Sequence, residues 1–494
     1  MITAVLFSEK DFQNARVEEF LRNPLIDRIL IVGADGKTPL PERCDVIPAA
    51  DIHSGKVWND IVARVATDYL LYVVPGDVRL DLRAPERLLS TAVETGSGLV
   101  YADYAELSGE AAADHPVNDY QEGSIRDDFD FGPLILVETA AARSALKKYG
   151  AIPPYRWAGW YDLRLKIATG RELFHLPESL ALIVKTGAGD GEKSSGGHFS
   201  YVDPRNQEYQ REMEEAATAH LKRIGAWLPP VFRKIPPVAH SFSVEASVVI
   251  PVRNRVKTIA DAVKSALAQK TEFPFNVIVV DNHSTDGTTE LLEELAASFP
   301  RLKLLVPERR DLSIGGCWNE AVFSDHCGRY AVQLDSDDLY GANDVLSRLV
   351  KLLREEDCAL AVGAYTIVDA ALREIPPGLI DHSEWSEENG RNNLLRVNGI
   401  GAPRAFDTAV LRRIGFPNVG YGEDYAVALR LSREYRVGRI YDSLYLCRRW
   451  DGNTDAVLSV AQANRYNAYK DRLRTIEIRA RRNMNGRKAA GDED

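Results

Sequence analysis

Three aspartates crowd one turn of this sequence. In YAVQLDSDDLY an apolar run ends in Asp335, Asp337 and Asp338, close enough that mutual repulsion is unfavourable without a cation. Hard oxygen ligands of this kind suit Mg²⁺ or Mn²⁺, and Mg²⁺ is typically held by one or two carboxylates with substrate phosphates completing the shell. A solvated acidic turn capping the next helix would use the same residues. A second acidic pair, Glu423-Asp424 in GYGEDYAVALRLSREY, opens a helix after a loop flexed by glycines. Carboxylates in a first helical turn are favoured by the helix dipole alone; one of them can also act as a general base toward a hydroxyl. Two further strand ends carry polar groups. SVVIPVRNR closes on Pro251 and runs into Arg253-Asn254-Arg255, and VIVVDNHSTDGT closes on Asp281. A carboxylate facing a cleft there can accept hydrogen bonds from a base or a ribose, although Asp-Gly turns after strands are common.

The elements that must position these residues are short apolar runs alternating with helical patterns, which predicts α/β architecture with parallel sheets and crossover helices. In the C-terminal half the predicted strands are Ala246–Val252, Asn276–Asp281, Tyr330–Asp335 and Ala359–Ala364, with helices at Lys257–Gln269 and Thr288–Ser298. Strand ends followed by Asp and Gly clusters are where such sheets place ligands. The N-terminal half repeats the order, with strands at Thr3–Phe7, Arg28–Val32, Tyr69–Val74 and Gly98–Tyr101. Matching IVGADGKT to VVDNHSTDGT pairs Gly33 with Asp281, an offset of 248; YVVPGD matches QLDSDD with Asp77 on Asp338, an offset of 261; LPESLAL matches IYDSLYL with Ser179 on Ser443, an offset of 264. Offsets that grow steadily indicate two diverged copies with insertions in the second. The expected organisation is a first copy over 1–184, a linker over 185–240, a second copy over 241–457 and a C-terminal helix and tail over 458–494. The linker holds the Gly/Ser-rich TGAGDGEKSSGG, a helix at Pro204–Ile224 and the stiff connector LPPVFRKIPP. The final helix spans about Ala461–Arg482, and the closing NGRKAAGDED reads as disordered.

At 494 residues, two or three domains are expected. A hydrophobic share of 45% and a charged share of 27% describe a folded soluble protein. The net charge of −11 argues against non-specific attraction to nucleic acid or anionic lipid. Five scattered cysteines (Cys44, Cys317, Cys327, Cys358, Cys447) have neither zinc-site spacing nor the density of a disulfide framework, so a reducing, cytoplasmic location is expected, with docking on a membrane surface left open. The N-terminus turns polar after about seven residues, unlike a signal peptide.

Taken in order, the four stretches resemble glycosyltransferase family 2, over about Ser247–Asp455. IPVRNR is similar to the family's Pro-x-x-Asn-Arg opening. VVDNHSTDGT resembles its second-strand signature. GGCWNEAVFSDHCGRYAVQLDSDD, with Asn319, resembles its Gly…Asn…Gly-x-Tyr lead into the metal motif, and GEDYAVALRL its Glu-Asp pair. The resemblance implies tandem Rossmann-like domains of the A-type glycosyltransferase fold. It implies transfer of a sugar, with inversion, from a UDP- or GDP-linked donor to a carbohydrate, lipid-linked or protein acceptor, with Mn²⁺ or Mg²⁺ as cofactor. Residue by residue, it puts Pro251, Asn254, Arg255 and Asn319 in the nucleotide-sugar site, Asp281 on the nucleobase and Asp335 on the ribose or the metal. Asp337 would hold the metal, Asp424 would be the base with Glu423 beside it, and Arg448 or Arg449, in YLCRRWDGNTD, would contact phosphate. Where some relatives carry a metal-binding His after that Arg, this chain has Trp450 or Asp451. The acceptor wall would be formed by Asn389–Phe416, with Trp385 either a stacking platform or packing.

The first copy departs from the pattern. Gly33 stands for Asp281, Gly76 for Asp337 and Trp160 for Asp424, with Asp162 a substitute if the alignment slips. It therefore reads as non-catalytic, holding an acceptor or an oligomer contact. Its aromatic patch, Tyr155-Arg156-Trp157 with Trp160-Tyr161, suits sugar stacking or a packed interface equally. A homo-oligomer is left open, and so are rival readings: two active copies, a nucleotidyltransferase, or a sugar-binding scaffold. The nucleotidyltransferase lacks its Gly-rich phosphate loop after the first strand. The scaffold is opposed by the presence of Asp281, Asp335, Asp337 and Asp424 together.

Overall fold

The computed structural model describes residues 1–8, 14–33, 40–109, 111–185, 206–238, 241–450 and 458–490. The chain divides into two compact units, one of Met1–Tyr201, Asn206–Trp227 and Ser459–Asp494, the other of Val202–Arg205 and Leu228–Leu458.

The first unit contains β1 (Ile2–Phe7), β2 (Ile26–Val32), β3 (Cys44–Ile47), β4 (Tyr69–Val73), β5 (Val78–Leu80), β6 (Leu99–Ala102), β7 (Tyr104–Ser108), β8 (Ala111–His115), β9 (Leu134–Glu138), β10 (Leu173–Leu176) and β11 (Ala181–Lys185). Among the described residues its main sheet runs β10-β6-β9-β4-β1-β2-β3, with a second, β5-β11-β7-β8, beside it. The second unit contains β12 (Ala246–Val252), β13 (Phe275–Asp281), β14 (Leu302–Leu305), β15 (Tyr330–Gln333), β16 (Leu339–Tyr340), β17 (Cys358–Val368), β18 (Glu374–Ile380), β19 (Arg404–Asp407) and β20 (Arg436–Arg448). Its sheet runs β14-β13-β12-β15-β19-β17-β20-β16, with β18 on β17. β12 and β13 are buried along their whole length, as strands covered on both faces must be, which is why they read as unbroken apolar runs.

Both sheets are mixed, not purely parallel. In each, one strand runs antiparallel between parallel neighbours: β9 between β4 and β6, β19 between β15 and β17. Order and direction agree strand for strand from β3 to β10 and from β14 to β20. The register agrees too. Tyr69 pairs with Ile2 and Glu138, as Tyr330 pairs with Ala246 and Asp407. Phe7 pairs with Val32 as Pro251 pairs with Val280, so Gly33 and Asp281 follow equivalent strand ends. The helices Gly159–Ala168 and Glu423–Glu434 correspond likewise. A methyl at Gly55 would stand 1.9 Å from the Pro153 carbonyl oxygen, and one at Gly315 would stand 1.9 Å from that of Pro417. In both copies, backbone meets backbone where only glycine fits.

Two helices kept apart by the sequence reading belong to the first unit. Gln207–Arg223, expected in the linker, is counted with it, as is Val460–Ala490. On the terminal helix, buried Asp471 accepts from Ser124 at 2.8 Å and lies 3.4 Å from Arg126. The expected disorder of NGRKAAGDED is corrected as far as Ala490, because the helix continues to that residue; Lys and Ala are strong helix formers that outweigh the one glycine. The last four residues, and the loop TGAGDGEKSSGG, lie outside the described residues. No described helix is long and apolar enough to cross a membrane.

Candidate active site

The polar pole of the second unit begins where β12 and β13 end side by side, Val252 opposite Asp281. Pro251 is buried in β12 opposite Val280. Asn254 takes a left-handed backbone, φ 55°. Its side-chain oxygen accepts from the Thr285 N–H at 2.8 Å, its own N–H donates to Ser284 Oγ at 2.8 Å, and the Arg255 N–H donates to Thr288 Oγ1 at 2.9 Å. The two loops are thus one knitted surface. Asp281 is fully buried. One carboxylate oxygen accepts from the Ser284 N–H and hydroxyl at 3.1 and 2.6 Å, the other from the Thr289 hydroxyl. In this arrangement the group expected on the nucleobase shapes the turn.

The aspartate turn links β15 to β16. Both oxygens of Asp335 lie 3.0 Å from the Gln333 side-chain amide, and its N–H donates to the Tyr445 hydroxyl at 3.0 Å. Burial pushes its carboxyl above the usual range, opposed by the charge of Arg404 and helped by that of Asp337. Asp338 is 5% exposed and accepts the Arg448 N–H at 2.8 Å. Burial first, then the charges of Asp335 and Asp337, hold it well above the carboxylate range. Asp337 is the accessible member: one oxygen lies 3.8 Å from Arg255 Nε and 3.4 Å from Trp450 Nε1. Arg448 donates to the Asp337 carbonyl and stands 3.1 Å from Asp261. The Arg449 N–H donates to the Val368 carbonyl at 2.7 Å, extending the pairing of β17 and β20. Asp451 lies outside the described residues.

These groups bear on the metal. No set of three or more His, Cys, Asp or Glu among the described residues is placed to hold an ion, and Asp338 is engaged by the Arg448 backbone N–H. Asp335 and Asp337 remain, two hard-oxygen donors on one turn. That set fits a divalent ion whose other positions are filled by diphosphate oxygens and water.

The second acidic pair sits at the N-terminus of Glu423–Glu434, after Gly422 at φ 78°. Its members have opposite surroundings. Glu423 is 7% exposed, and burial, then Asp424, pushes its pKa up to about 8. Asp424 is partly exposed and meets Arg404 at 2.7 Å. Arg404 stands on β19 opposite Val362, donates to the Gly401 carbonyl at 2.8 Å, and feels Asp424, Asp335 and Glu423 together. One guanidinium therefore joins the aspartate turn to the base helix. Sequence reasoning missed it. The available signal was a lone Arg in PRAFD, whose importance depends on β19 inserting beside β15.

Asn319 is engaged by a loop. Its side chain donates to the Phe416 carbonyl and accepts the Phe416 N–H, both at 2.8 Å, clamping a loop. Trp385 is packed under Arg439, 4.4 Å away, and against Gly390.

In the first unit, register puts Val74, Gly76 and Ile135 where Asp335, Asp337 and Arg404 stand. Trp160 takes the place of Asp424. Asp162, the alternative, is 1% exposed and pairs with Lys166, with Arg223 at 3.9 Å, so it is a structural ion pair. Tyr161 is buried with its hydroxyl on the Ile125 carbonyl, and Glu212 accepts the Arg156 and Trp157 N–H groups at 2.8 Å.

Comparison with known proteins points to the second unit. Residues 247–417 match the family described as Glycosyl transferase family 2. An uncharacterised glycosyltransferase of Rickettsia felis is 23% identical over 298 residues, 57% of this chain and 48% of that protein. The chondroitin synthase of Pasteurella multocida is 29% identical over 167 residues, 33% of this chain and 17% of the synthase. The chain thus spans less than half the length of these curated relatives. Among solved structures, S. aureus TarS 1-349 in complex with UDP-GlcNAc aligns with a TM-score of 0.38 at 23% identity, over 47% of this chain and 66% of that one. The mannosyltransferase PcManGT of Pyrobaculum calidifontis, in complex with GDP-Man and Mn²⁺, aligns at 0.32 and 19% identity, over 61% and 87%. The match to the family described as Glycosyl transferase family 2 falls wholly within the second unit.

Proposed function

We propose that the chain transfers a sugar, with inversion, from a nucleotide-diphosphate sugar to an acceptor hydroxyl, and that the second unit alone does so. The observation that carries this reading is the chain of charge Asp337–Asp335–Arg404–Asp424 at the strand-end pole. Asp335 and Asp337 would hold Mn²⁺ or Mg²⁺, which supplies charge neutralisation for the departing diphosphate. Arg255 Nε, 3.8 Å from Asp337, adds positive charge beside the same group. Asp424 takes the acceptor proton on its carboxylate: it is partly exposed and paired with Arg404 at 2.7 Å. Glu423, protonated below about pH 8, cannot accept a proton at neutral pH.

UDP- and GDP-linked sugars are the proposed donors, and a carbohydrate, lipid-linked or protein hydroxyl the acceptor, in a cytoplasmic setting. The test is a thermal-shift panel of nucleotide sugars with Mn²⁺, since a bound donor raises stability by mass action, followed by transfer assays. Asp337→Ala should remove donor-dependent stabilisation and turnover while leaving the unliganded melting curve nearly unchanged. Full turnover by that variant, or by the wild type in excess chelator, refutes the metal assignment.

A further inference from the structure

The pole of the first unit is filled by rings. Trp160 lies 5.0 Å from Trp58 and 5.0 Å from Tyr72, and those two meet edge to face at 4.9 Å, with Phe7 5.5 Å from Tyr72. Trp160 is half-buried. In the same cluster a buried polar group lacks a partner. Trp58 is 1% exposed, and its Nε1–H finds no hydrogen-bond acceptor. Tyr72 is 5% exposed, and burial raises its phenol far above the usual range. Buried indole N–H and phenol O–H groups normally find partners. A buried indole N–H left over in this ring cluster, with the Tyr72 hydroxyl beside it, calls for an oxygen-bearing occupant.

The place and the charge narrow that occupant. Phe7, Tyr72 and Trp160 take the register positions of Pro251, Gln333 and Asp424, at the carboxyl ends of strands where such sheets bind ligands. Among the described residues, Val74, Gly76 and Ile135 supply no carboxylate for a metal and no guanidinium, so the positions that carry charge in the second unit are neutral here. What remains compatible is an uncharged ring with apolar C–H faces to lie on an indole and hydroxyls to meet N–H and O–H. We infer that this pole is a binding site for a neutral pyranose unit of an oligosaccharide, built on Trp160 with Trp58 and Tyr72, separate from the donor site.

The test uses the full chain without nucleotide sugar, titrated calorimetrically with cellotetraose, maltotetraose and chitotetraose. At least one should bind. Trp160→Ala should weaken it by roughly tenfold or more, the scale of a lost aromatic contact, and Tyr72→Phe by about two- to tenfold, the scale of one hydrogen bond. Asp337→Ala should leave it unchanged, so this site and the transferase reading fail separately. Should Trp160→Ala melt abnormally, Tyr72→Phe, which keeps the ring, carries the test. Binding of none of the three, binding lost in Asp337→Ala but kept in Tyr72→Phe, or displacement by UMP from a site that needs Trp160 overturns the proposal.

Discussion

Replacing Glu423 by Gln separates the two carboxylates at the base helix. Glutamine keeps the shape of a protonated glutamate and cannot ionise. With a folded pKa of about 8 against an ordinary 4.5, the native state binds a proton that the unfolded chain gives up. Stability from this group is therefore fully present below pH 4.5 and is lost as pH rises through 8. Each pKa unit corresponds to about 1.4 kcal/mol. Between pH 5 and pH 8, wild type should lose roughly 3 kcal/mol that Glu423→Gln does not. Urea unfolding of both proteins at the two pH values, followed by tryptophan fluorescence, measures this double difference. Transfer by Glu423→Gln at pH 7 should stay close to wild type. A stability difference that is flat with pH would mean Glu423 is ionised in the fold, and a crippled Glu423→Gln would make it the base. The first result removes the ground for excluding Glu423, and the second refutes the assignment of Asp424.

Asp424→Asn should retain donor binding while turnover falls by roughly 10²–10⁴, the usual worth of a general base; single-turnover assays at saturating donor decide it. Arg404→Met should lower unfolding stability by roughly 3 kcal/mol, the scale for stranding the partners of a mostly buried cation, and Arg404→Lys should recover part of that loss in the same urea titration. Calorimetric titration with the correct donor and Mn²⁺ should give a stoichiometry near one per chain; a value of two would mean that both copies bind donor.

Much of this arrangement was legible because it is local. β12, β13 and the helix Thr288–Ser298 announce themselves as apolar runs stopped by polar turns, and DSDD must crowd its carboxylates whatever surrounds it. What stayed hidden depends on residues distant in sequence. Arg404 acquires its role only because β19 runs antiparallel beside β15. Asp338 looks like a metal ligand until the backbone of Arg448 reaches it. Glu423 and Asp424 are adjacent and alike as letters, and only burial of one and the pairing of the other divides their chemistry. Asp162 looked like a spare catalytic acid because Lys166 and Arg223 cannot be seen to converge on it from spacing alone.

The ring-filled pole of the first unit also carries an evolutionary consequence. Ile135 is 2% exposed, so Ile135→Arg by itself would bury a guanidinium without an anion. Trp160→Asp by itself would open a void and leave a carboxylate against three aromatic rings. Each such change costs several kcal/mol alone, because an unpaired buried charge is penalised until its partner arrives. Losing transfer chemistry takes a single substitution at any member of a charge chain; regaining it takes four coordinated ones at positions 74, 76, 135 and 160. The divergence of the two copies is in that sense a ratchet, and it turns toward the aromatic pole.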